Sequence, residues 1–280
     1  MSSLNRRYTD FEFKDGSLQI GSRTYIMGIL NVNPDSFSDG GKFLDTVDAL
    51  EHAREMLMAG ADIIDIGGES TRPSYNPVSI EIELERIIPV ITQIRTELPA
   101  DTVISIDTQK TEVAQSAVDA GANIINDIWG LQGDSGMAEI VAATGAGIIV
   151  MHNSESGIYK DVVDDIKDFF ERSLEIAAKA GIQESKIVLD PGIGFAKAFE
   201  DNIEILSRLT EFNVFGLPIL LGTSRKRFIG AILDLPSEER MEGTLASSVI
   251  GIAAGADFLR VHDILEMKRA AAVSDAILRG

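Results

Sequence analysis

The chain has 280 residues and 30.3 kDa, the size of one large barrel or of two ordinary domains. Its 45% hydrophobic content, 25% charged residues and 8 prolines are ordinary globular usage and exclude a disordered or fibrous chain. With 25 Lys and Arg against 44 Asp and Glu the formal charge is −19, which disfavours nucleic acid and anionic membrane as partners, and the lack of cysteine excludes disulfides, thiolate metal sites and cysteine nucleophiles while fitting a reducing, cytoplasmic setting.

The opening segment, MSSLNRRYTDFEF, has no apolar core of the signal-peptide kind. Within an extension over residues 1–24, FEF and SLQI flank KDG and predict a β-hairpin placed to plug the amino-terminal mouth of a barrel. Eight short apolar runs follow: Ile26–Leu30, Ile63–Ile66, Val103–Ile106, Ile124–Ile128, Gly147–Met151, Ile187–Leu189, Pro218–Leu221 and Phe258–Val261. They are unalternating and rich in Ile and Val, as parallel strands buried on both faces are. Amphipathic periodicity predicts helices between them, over Thr46–Ala59, Ser79–Glu97, Thr111–Asp119, Met137–Thr144, Val162–Ala180, Ala198–Thr210, Gly243–Ala254 and Ile264–Leu278. Gly60, Gly121, Gly145, Gly181 and Gly255 each precede an apolar run, as in AGADIIDIGG and AGADFLRVH, and suit left-handed helix C-caps. Strict alternation repeated eight times predicts an α/β fold, a (β/α)8 TIM barrel with an N-terminal β-hairpin, as a single domain. A doubly wound sheet is the weaker choice, since no GxGxxG follows the first strand. The longest mostly apolar stretch, Leu245–Ala256, is broken by serine and glycine and is shorter than the ~20 residues that span a bilayer.

In such a barrel the chemistry sits at the carboxyl ends of the strands. The residues there are Asn31, Asp65, Asp107, Asn126 with Asp127, His152, Asp190, Ser224 to Lys226, Arg260 and His262. One such residue is explained by a helix cap or a satisfied loop group. The set is not, because several lie inside apolar runs, where an unpaired carboxylate is costly. Asp107, Asn126 and Asp190 offer acceptors and one amide, which suit a flat heterocycle carrying an amino group and a ring N–H, with Lys226 placed to answer a ring carbonyl or imine nitrogen. These features point to a purine-like or pterin-like ring. GTSRKRFIG after the seventh run, Arg260 on the eighth and Arg72 in GGESTRP concentrate positive charge where barrels commonly bind anions, and imply a phosphate or pyrophosphate.

The segment NPDSFSDGG, Asn33 to Gly41, is a turn-rich connector by composition and long enough for a lid, with Phe37 as its one large apolar residue. Oxygen ligands from Asn31 and the aspartates suit Mg²⁺ shared with a pyrophosphate. Zinc is disfavoured, since His52, His152 and His262 lie far apart in sequence with no paired-ligand motif. His52 falls on a helix and reads as surface or packing, and Trp129 reads as barrel-rim packing rather than ligand stacking.

MGILNVNPDSFSDGG from Met27, IIDIGGESTRP from Ile63, SIDT from Ser105, AGANIINDI from Ala120, VLDPGIGF from Val188, LLGTSRK from Leu220 and FLRVHD from Phe258 together resemble the dihydropteroate synthases of folate biosynthesis. The resemblance runs in order along nearly the whole barrel. It implies condensation of a dihydropterin-hydroxymethyl pyrophosphate with 4-aminobenzoate, which sulfonamide drugs mimic, to give dihydropteroate and pyrophosphate. It implies that Asp107, Asn126, Asp190 and Lys226 hold the pterin, and that Asn31, Arg72, Arg260 and His262 serve the pyrophosphate, with Asn31 on its Mg²⁺. Phe37, Thr71, Arg72, Pro73, Phe195 and Ser224 are implied around the aminobenzoate, and Asp65 belongs to the matching second-strand motif. The residues expected to act on the reacting groups are Asp107, Lys226, Arg260 and His262. Carbon–oxygen cleavage is expected to run ahead of attack by the weakly basic arylamine, which needs no nucleophile–His–Asp triad.

The chain departs from the usual pattern at Asn33, at Gln109, Lys110 and Thr111, at Trp129, and in MHNSESG after the fifth run. A pterin-binding methyltransferase and a non-catalytic pterin-binding paralogue are the alternatives. The first needs no pyrophosphate site, and the second is at odds with complete first and second loops. The Ala- and Ile-rich stretches Gly243–Ala254 and Ile264–Leu278 suit either a twofold dimer, as the resemblance also implies, or packing within the barrel's own helix layer.

Overall fold

The computed structural model describes residues 10–32, 42–69 and 77–279. Eight parallel strands form one sheet: β3 (Tyr25–Asn31), β4 (Ile63–Gly67), β5 (Val103–Asp107), β6 (Ile124–Asp127), β7 (Gly147–Met151), β8 (Ile187–Asp190), β9 (Leu220–Leu221) and β10 (Phe258–Val261), preceded by the antiparallel hairpin of β1 (Asp10–Phe13) and β2 (Gly16–Gln19). The order is β8-β7-β6-β5-β4-β3-β10-β9, and a bridge between Leu189 and Ile219 joins its two ends into a cylinder. Around it lie α1 (Lys42–Ala59), α2 (Ile80–Glu97), α3 (Thr111–Ala120), α4 (Met137–Thr144), α5 (Val162–Ala180), α6 (Phe199–Ser207), α7 (Arg227–Leu233), α8 (Met241–Ala253) and α9 (Ile264–Leu278). This is the TIM barrel expected from the alternation.

The five glycines expected at helix ends all have positive φ, between 70° and 121°. That conformation ends the helix and turns the chain back toward the sheet without a Cβ clash. Two boundaries differ from expectation. The ladder of the seventh barrel strand contains only Leu220 and Leu221, its partner bond on the other side being the single bridge at Ile219. The helix expected to reach Thr210 stops at Ser207, and a 3₁₀ segment covers Leu209–Phe215. There Leu209, Phe212 and Phe215 are all buried, a three-residue spacing that eclipses on one face of a 3₁₀ helix.

Two apolar layers hold the barrel. The larger lies between strands and helices, with Ile64, Ile66, Ile104 and Ile106 facing Ile87, Val90, Ile91 and Val113. The smaller fills the amino-terminal mouth, where Phe11 and Phe13 of the hairpin pack on Tyr25, Met27, Ile124, Ile149 and Phe258. The Phe11 ring meets Phe258 edge-on at 5.7 Å, and Gly147 leaves room for it, since a Cβ there would stand 2.7 Å from Phe11 Cζ. The turn keeps its place through Lys14, whose Nζ donates to Val118 O at 2.9 Å and whose carbonyl accepts from Asn123 Nδ2 at 2.8 Å. The hairpin is therefore the plug expected from FEF-KDG-SLQI.

No helix among the described residues is long and apolar enough to cross a membrane. Phe11 is fully buried. Phe11→Ala should lower the free energy of unfolding by about 3 to 5 kcal/mol in a urea titration, with the m-value unchanged.

Candidate active site

Strand register sets which side chains meet at the carboxyl-end mouth. Asn31 pairs with Gly67, Gly67 with Asp107, and Asp107 with Asn126, so one level of the barrel carries an amide, a carboxylate and a second amide on neighbouring strands. Two residues earlier on β4 is Asp65, fully buried. From β10, Arg260 reaches across: Nε donates to Asp65 Oδ2 at 2.6 Å and Nη2 to Asp107 Oδ2 at 2.7 Å. Asn126 Nδ2 donates to the same Asp65 oxygen at 3.2 Å. The planar guanidinium suits this bridging, since its donors diverge in fixed directions.

Burial pushes the Asp107 carboxyl up to about 7, Arg260 opposing the shift and Asp65 adding to it. Burial works against the Arg260 charge, but Asp65 and Asp107 outweigh it and hold the guanidinium above its usual range. Asp107 Oδ1, Asn126 Oδ1 and Asp65 Oδ1 are buried with no hydrogen-bond partner among the described residues. Native structures seldom leave buried polar atoms so, and a ligand is one of the things that satisfies them.

Asp190 ends β8, and its Oδ1 accepts from Gly192 N at 2.7 Å. Burial raises this carboxyl, against the Gly192 N–H and the charge of Lys226. Lys226 stands at the start of α7 with Nζ 4.3 Å from the centre of the Phe195 ring, a cation–π contact. Burial draws the Lys226 amine down to about 8, helped by Arg260 and opposed by Asp190 and Asp107. Gly194 makes room for this lysine, because a Cβ there would press on Lys226 Cδ at 3.0 Å.

Beside this group Ser224 Oγ lies 2.9 Å from His262 Nδ1 and accepts the His262 backbone N–H at 3.2 Å. Burial, with Arg260 and Arg225 nearby, pulls the His262 pKa down to about 4. Near pH 7 the imidazole is therefore neutral in the absence of a bound anion. The cation cluster expected from GTSRKRFIG is also divided, since Arg225 is spent on Asp263 at 2.6 Å while Lys226 joins the carboxylates.

The mouth therefore unites Asp65, Asp107, Asn126, Asp190, Lys226, Arg260 and Phe195, with Ser224 and His262 coupled beside Arg260. Asn31 is half-buried at the same level, and a Cβ on Gly67 would lie 3.7 Å from its Oδ1. Asp127 does not join them: its two oxygens accept Trp129 N and Leu131 N and close the loop after β6. His52 is exposed on α1, and Trp129 is half-buried over Gly133 at the rim. Asn33, Phe37, Thr71, Arg72 and Pro73 lie outside the described residues. Thr111 has a local reason, since its N–H donates to Asp134 Oδ2 at 3.0 Å, a bond that proline could not make. Lys197, whose amine lies 2.9 Å from His152 Nδ1, was not expected at all; its only sequence signal is a lysine closing the otherwise uncharged PGIGFA run after Asp190.

The model of a family described as pterin binding enzyme matches residues 27–262. The chain is 52% identical over 261 residues to the dihydropteroate synthase of Clostridium beijerinckii, covering 93% of this chain and 96% of that one. It is 43% identical over 273 residues to that of Escherichia coli K12, covering 95% and 96%. Among solved structures, a dihydropteroate synthase from Clostridium difficile in the presence of pteroic acid superposes with a TM-score of 0.92 at 51% identity, covering 94% of this chain and all of that one. The Xanthomonas albilineans enzyme with 4-aminobenzoic acid gives 0.89 at 38% identity, covering 95% and 97%.

The Arg260 bridge sets an expectation for stability. Asp65→Ala leaves a buried guanidinium with one of its two carboxylates, and should cost about 3 kcal/mol in chemical unfolding. Asp65→Asn, which keeps an acceptor oxygen, should cost clearly less in the same titration.

Proposed function

Because the chain belongs to the pterin-binding enzyme family and matches dihydropteroate synthases along nearly its whole length, it catalyses dihydropteroate synthesis, and we propose that the carboxyl-end mouth holds both substrates. The reaction joins (7,8-dihydropterin-6-yl)methyl diphosphate to 4-aminobenzoate and releases diphosphate. The methyltransferase and paralogue alternatives are not favoured by relatives that are synthases.

The observation that carries the site assignment is the pair of buried, unpartnered acceptors, Asp107 Oδ1 and Asn126 Oδ1. A pterin brings an amino group and ring N–H donors to such acceptors. Asp190 offers its second oxygen to the same ring, and Lys226 donates to a ring carbonyl or imine nitrogen. Arg260 holds Asp107 in place and presents its remaining donors to the diphosphate, with the His262 ring beside it.

Asn31 suits Mg²⁺ as a single oxygen ligand, since its neighbourhood offers oxygen rather than nitrogen or sulfur donors and the ion keeps most of its waters. When bound, the ion would supply charge to the departing diphosphate.

Bond breaking leads. As the methylene C–O bond lengthens, negative charge grows on the diphosphate and positive charge spreads into the pterin. The donors of Arg260 and His262 meet the first, each well-placed one worth about 3 kcal/mol, and the Asp107 carboxylate stands by the second. The aminobenzoate nitrogen, a weak base already bearing its lone pair, then attacks and passes its proton to solvent. Phe195 and Ser224 border this second substrate, with Phe37, Thr71, Arg72 and Pro73 of the outlying segments. Incubation with the pterin diphosphate, Mg²⁺ and 4-aminobenzoate should yield dihydropteroate and diphosphate one for one; binding of the pterin without turnover would reject the assignment.

Exposed apolar side chains favour a homodimer through α8 and α9: Ile250 on the first is 56% exposed, and Val273 and Ile277 on the second are 62% and 73% exposed. Burying them against a second copy removes this surface from water. Light scattering at micromolar concentration should give twice the chain mass, and Ile250→Glu with Val273→Glu should halve it. The lack of cysteine fits action in the reducing cytoplasm.

The pH dependence follows from the two shifted groups. Asp107, drawn up to about 7, must be ionised to accept the ring donors, and Lys226, drawn down to about 8, must be protonated to donate. The profile of kcat/KM should rise through about 7 and fall through about 8. Lys226→Arg, whose charge persists, should lose the alkaline limb while keeping the acidic one.

A further inference from the structure

Two buried titratable side chains near the mouth, His152 and Lys197, have no part in the chemistry above. Lys197 Nζ lies 2.9 Å from His152 Nδ1, and donates to Phe195 O at 3.0 Å and to His152 O at 3.4 Å. The lysine thus ties the loop after β8 to the end of β7 through both the ring and the backbone of one residue. From the loop after β7, Tyr159 Oη donates to Ala196 O at 3.0 Å. The carbonyls of Phe195 and Ala196 are thus both held, the first by Lys197, which is itself tied to His152, and the second by Tyr159 from outside the loop.

The loop needs holding. Gly192, Gly194 and Ala196 have φ of 68°, 83° and 46°, and Ala196 takes this left-handed conformation although it carries a Cβ. For a non-glycine residue that conformation is costly and persists only where the surroundings impose it. The packing leaves little slack: a Cβ on Gly192 would overlap the His152 carbonyl, and one on Gly157 would stand 3.0 Å from Ala196 O. The His152 ring that receives the lysine is itself fixed edge-on against Phe169, with centroids 4.8 Å apart. Burial, with the charge of Lys197 beside it, drives the His152 pKa down to about 2, so the ring that meets the lysine stays neutral.

We propose that Lys197 and Tyr159 are positioning residues for the reaction: by fixing the peptide groups of Phe195 and Ala196 they aim the Phe195 ring at Lys226 and hold the wall against which 4-aminobenzoate lies. The inference rests on the assignment of Phe195 to that substrate. Lys226 keeps Asp107 and Asp190 as charged neighbours without the clasp, so the effect falls on aminobenzoate more than on the pterin.

Steady-state kinetics with both substrates varied tests this in Tyr159→Phe, Lys197→Met, the double variant and Phe195→Ala. Tyr159→Phe and Lys197→Met should each raise the KM for 4-aminobenzoate about tenfold, the loss of one buried hydrogen bond, with the KM for the pterin diphosphate within about twofold. The double variant should fall short of the product of the two, because both act on one peptide unit. Tyr159→Phe removes a single hydroxyl and decides the matter alone should Lys197→Met fail to fold. A wild-type aminobenzoate KM in Tyr159→Phe beside a raised one in Phe195→Ala would overturn the positioning role. A wild-type value in Phe195→Ala would instead overturn the assignment of Phe195 on which the role rests.

Discussion

Arg260 bridges Asp65 and Asp107 from the far side of the barrel, and much of the site depends on that one contact. The three residues lie on the last strand of the chain and on the second and third strands of the barrel, which the sheet brings near one another because β10 pairs beside β3, next to β4 and β5. A buried ion pair of this kind adds little net stability, since taking the charges out of water costs several kcal/mol per ion before their attraction is counted. Its value is geometric. Arg260 holds one oxygen of Asp107 and leaves the other unpartnered among the described residues, which turns a strand-end carboxylate into an aimed acceptor. Three carboxylates and two cations share the space, and burial there, with Asp65 nearby, lifts the Asp107 carboxyl to about 7 against the opposing charge of Arg260.

The two ends of the cylinder divide the work. Phe11, Phe13 and Phe258 seal the amino-terminal mouth with aromatic packing. At the other end the same strands finish in Asn31, Asp107, Asp127 and Asp190. This is the usual partition of such barrels, stability at one face and chemistry at the other. Here it lets buried charges accumulate where only one end of each strand has to bear them.

Much of this was legible in the residues. The strands were visible because short unbroken Ile and Val runs, bounded by glycine and alternating with helical periodicity, suit strands buried on both faces, and the helix ends because a glycine before such a run marks a left-handed cap. Asp65, Asp107 and Asp190 stood out because a carboxylate in an apolar run demands an explanation. What sequence could not supply was who meets whom. Arg260 lies 195 positions from Asp65, and no local pattern links them. Its pairing changes the expected role, from a cation turned toward diphosphate to one partly spent on aligning Asp107. The neutrality of His262 was hidden for the same reason, since it comes from burial and from the guanidinium groups of Arg260 and Arg225. The short ladder of β9 and the 3₁₀ segment at Leu209–Phe215 depend on packing that periodicity does not encode.

The two substrates make unequal demands, and the fold meets them with elements of unequal rigidity. A methylene that develops positive charge needs acceptors fixed before the reaction, because reorienting dipoles at the moment of bond breaking would return the energy they supply. Asp107, Asn126 and Asp190 satisfy this from within hydrogen-bonded strands, where register allows a side chain no freedom to slide. The arylamine is neutral and carries its lone pair already; what it needs is placement at the right distance and angle. That can be left to residues on connecting segments, provided something holds the segments. Lys197 and Tyr159 do this for the loop after β8, spending half-buried hydrogen bonds on backbone carbonyls rather than on ligand.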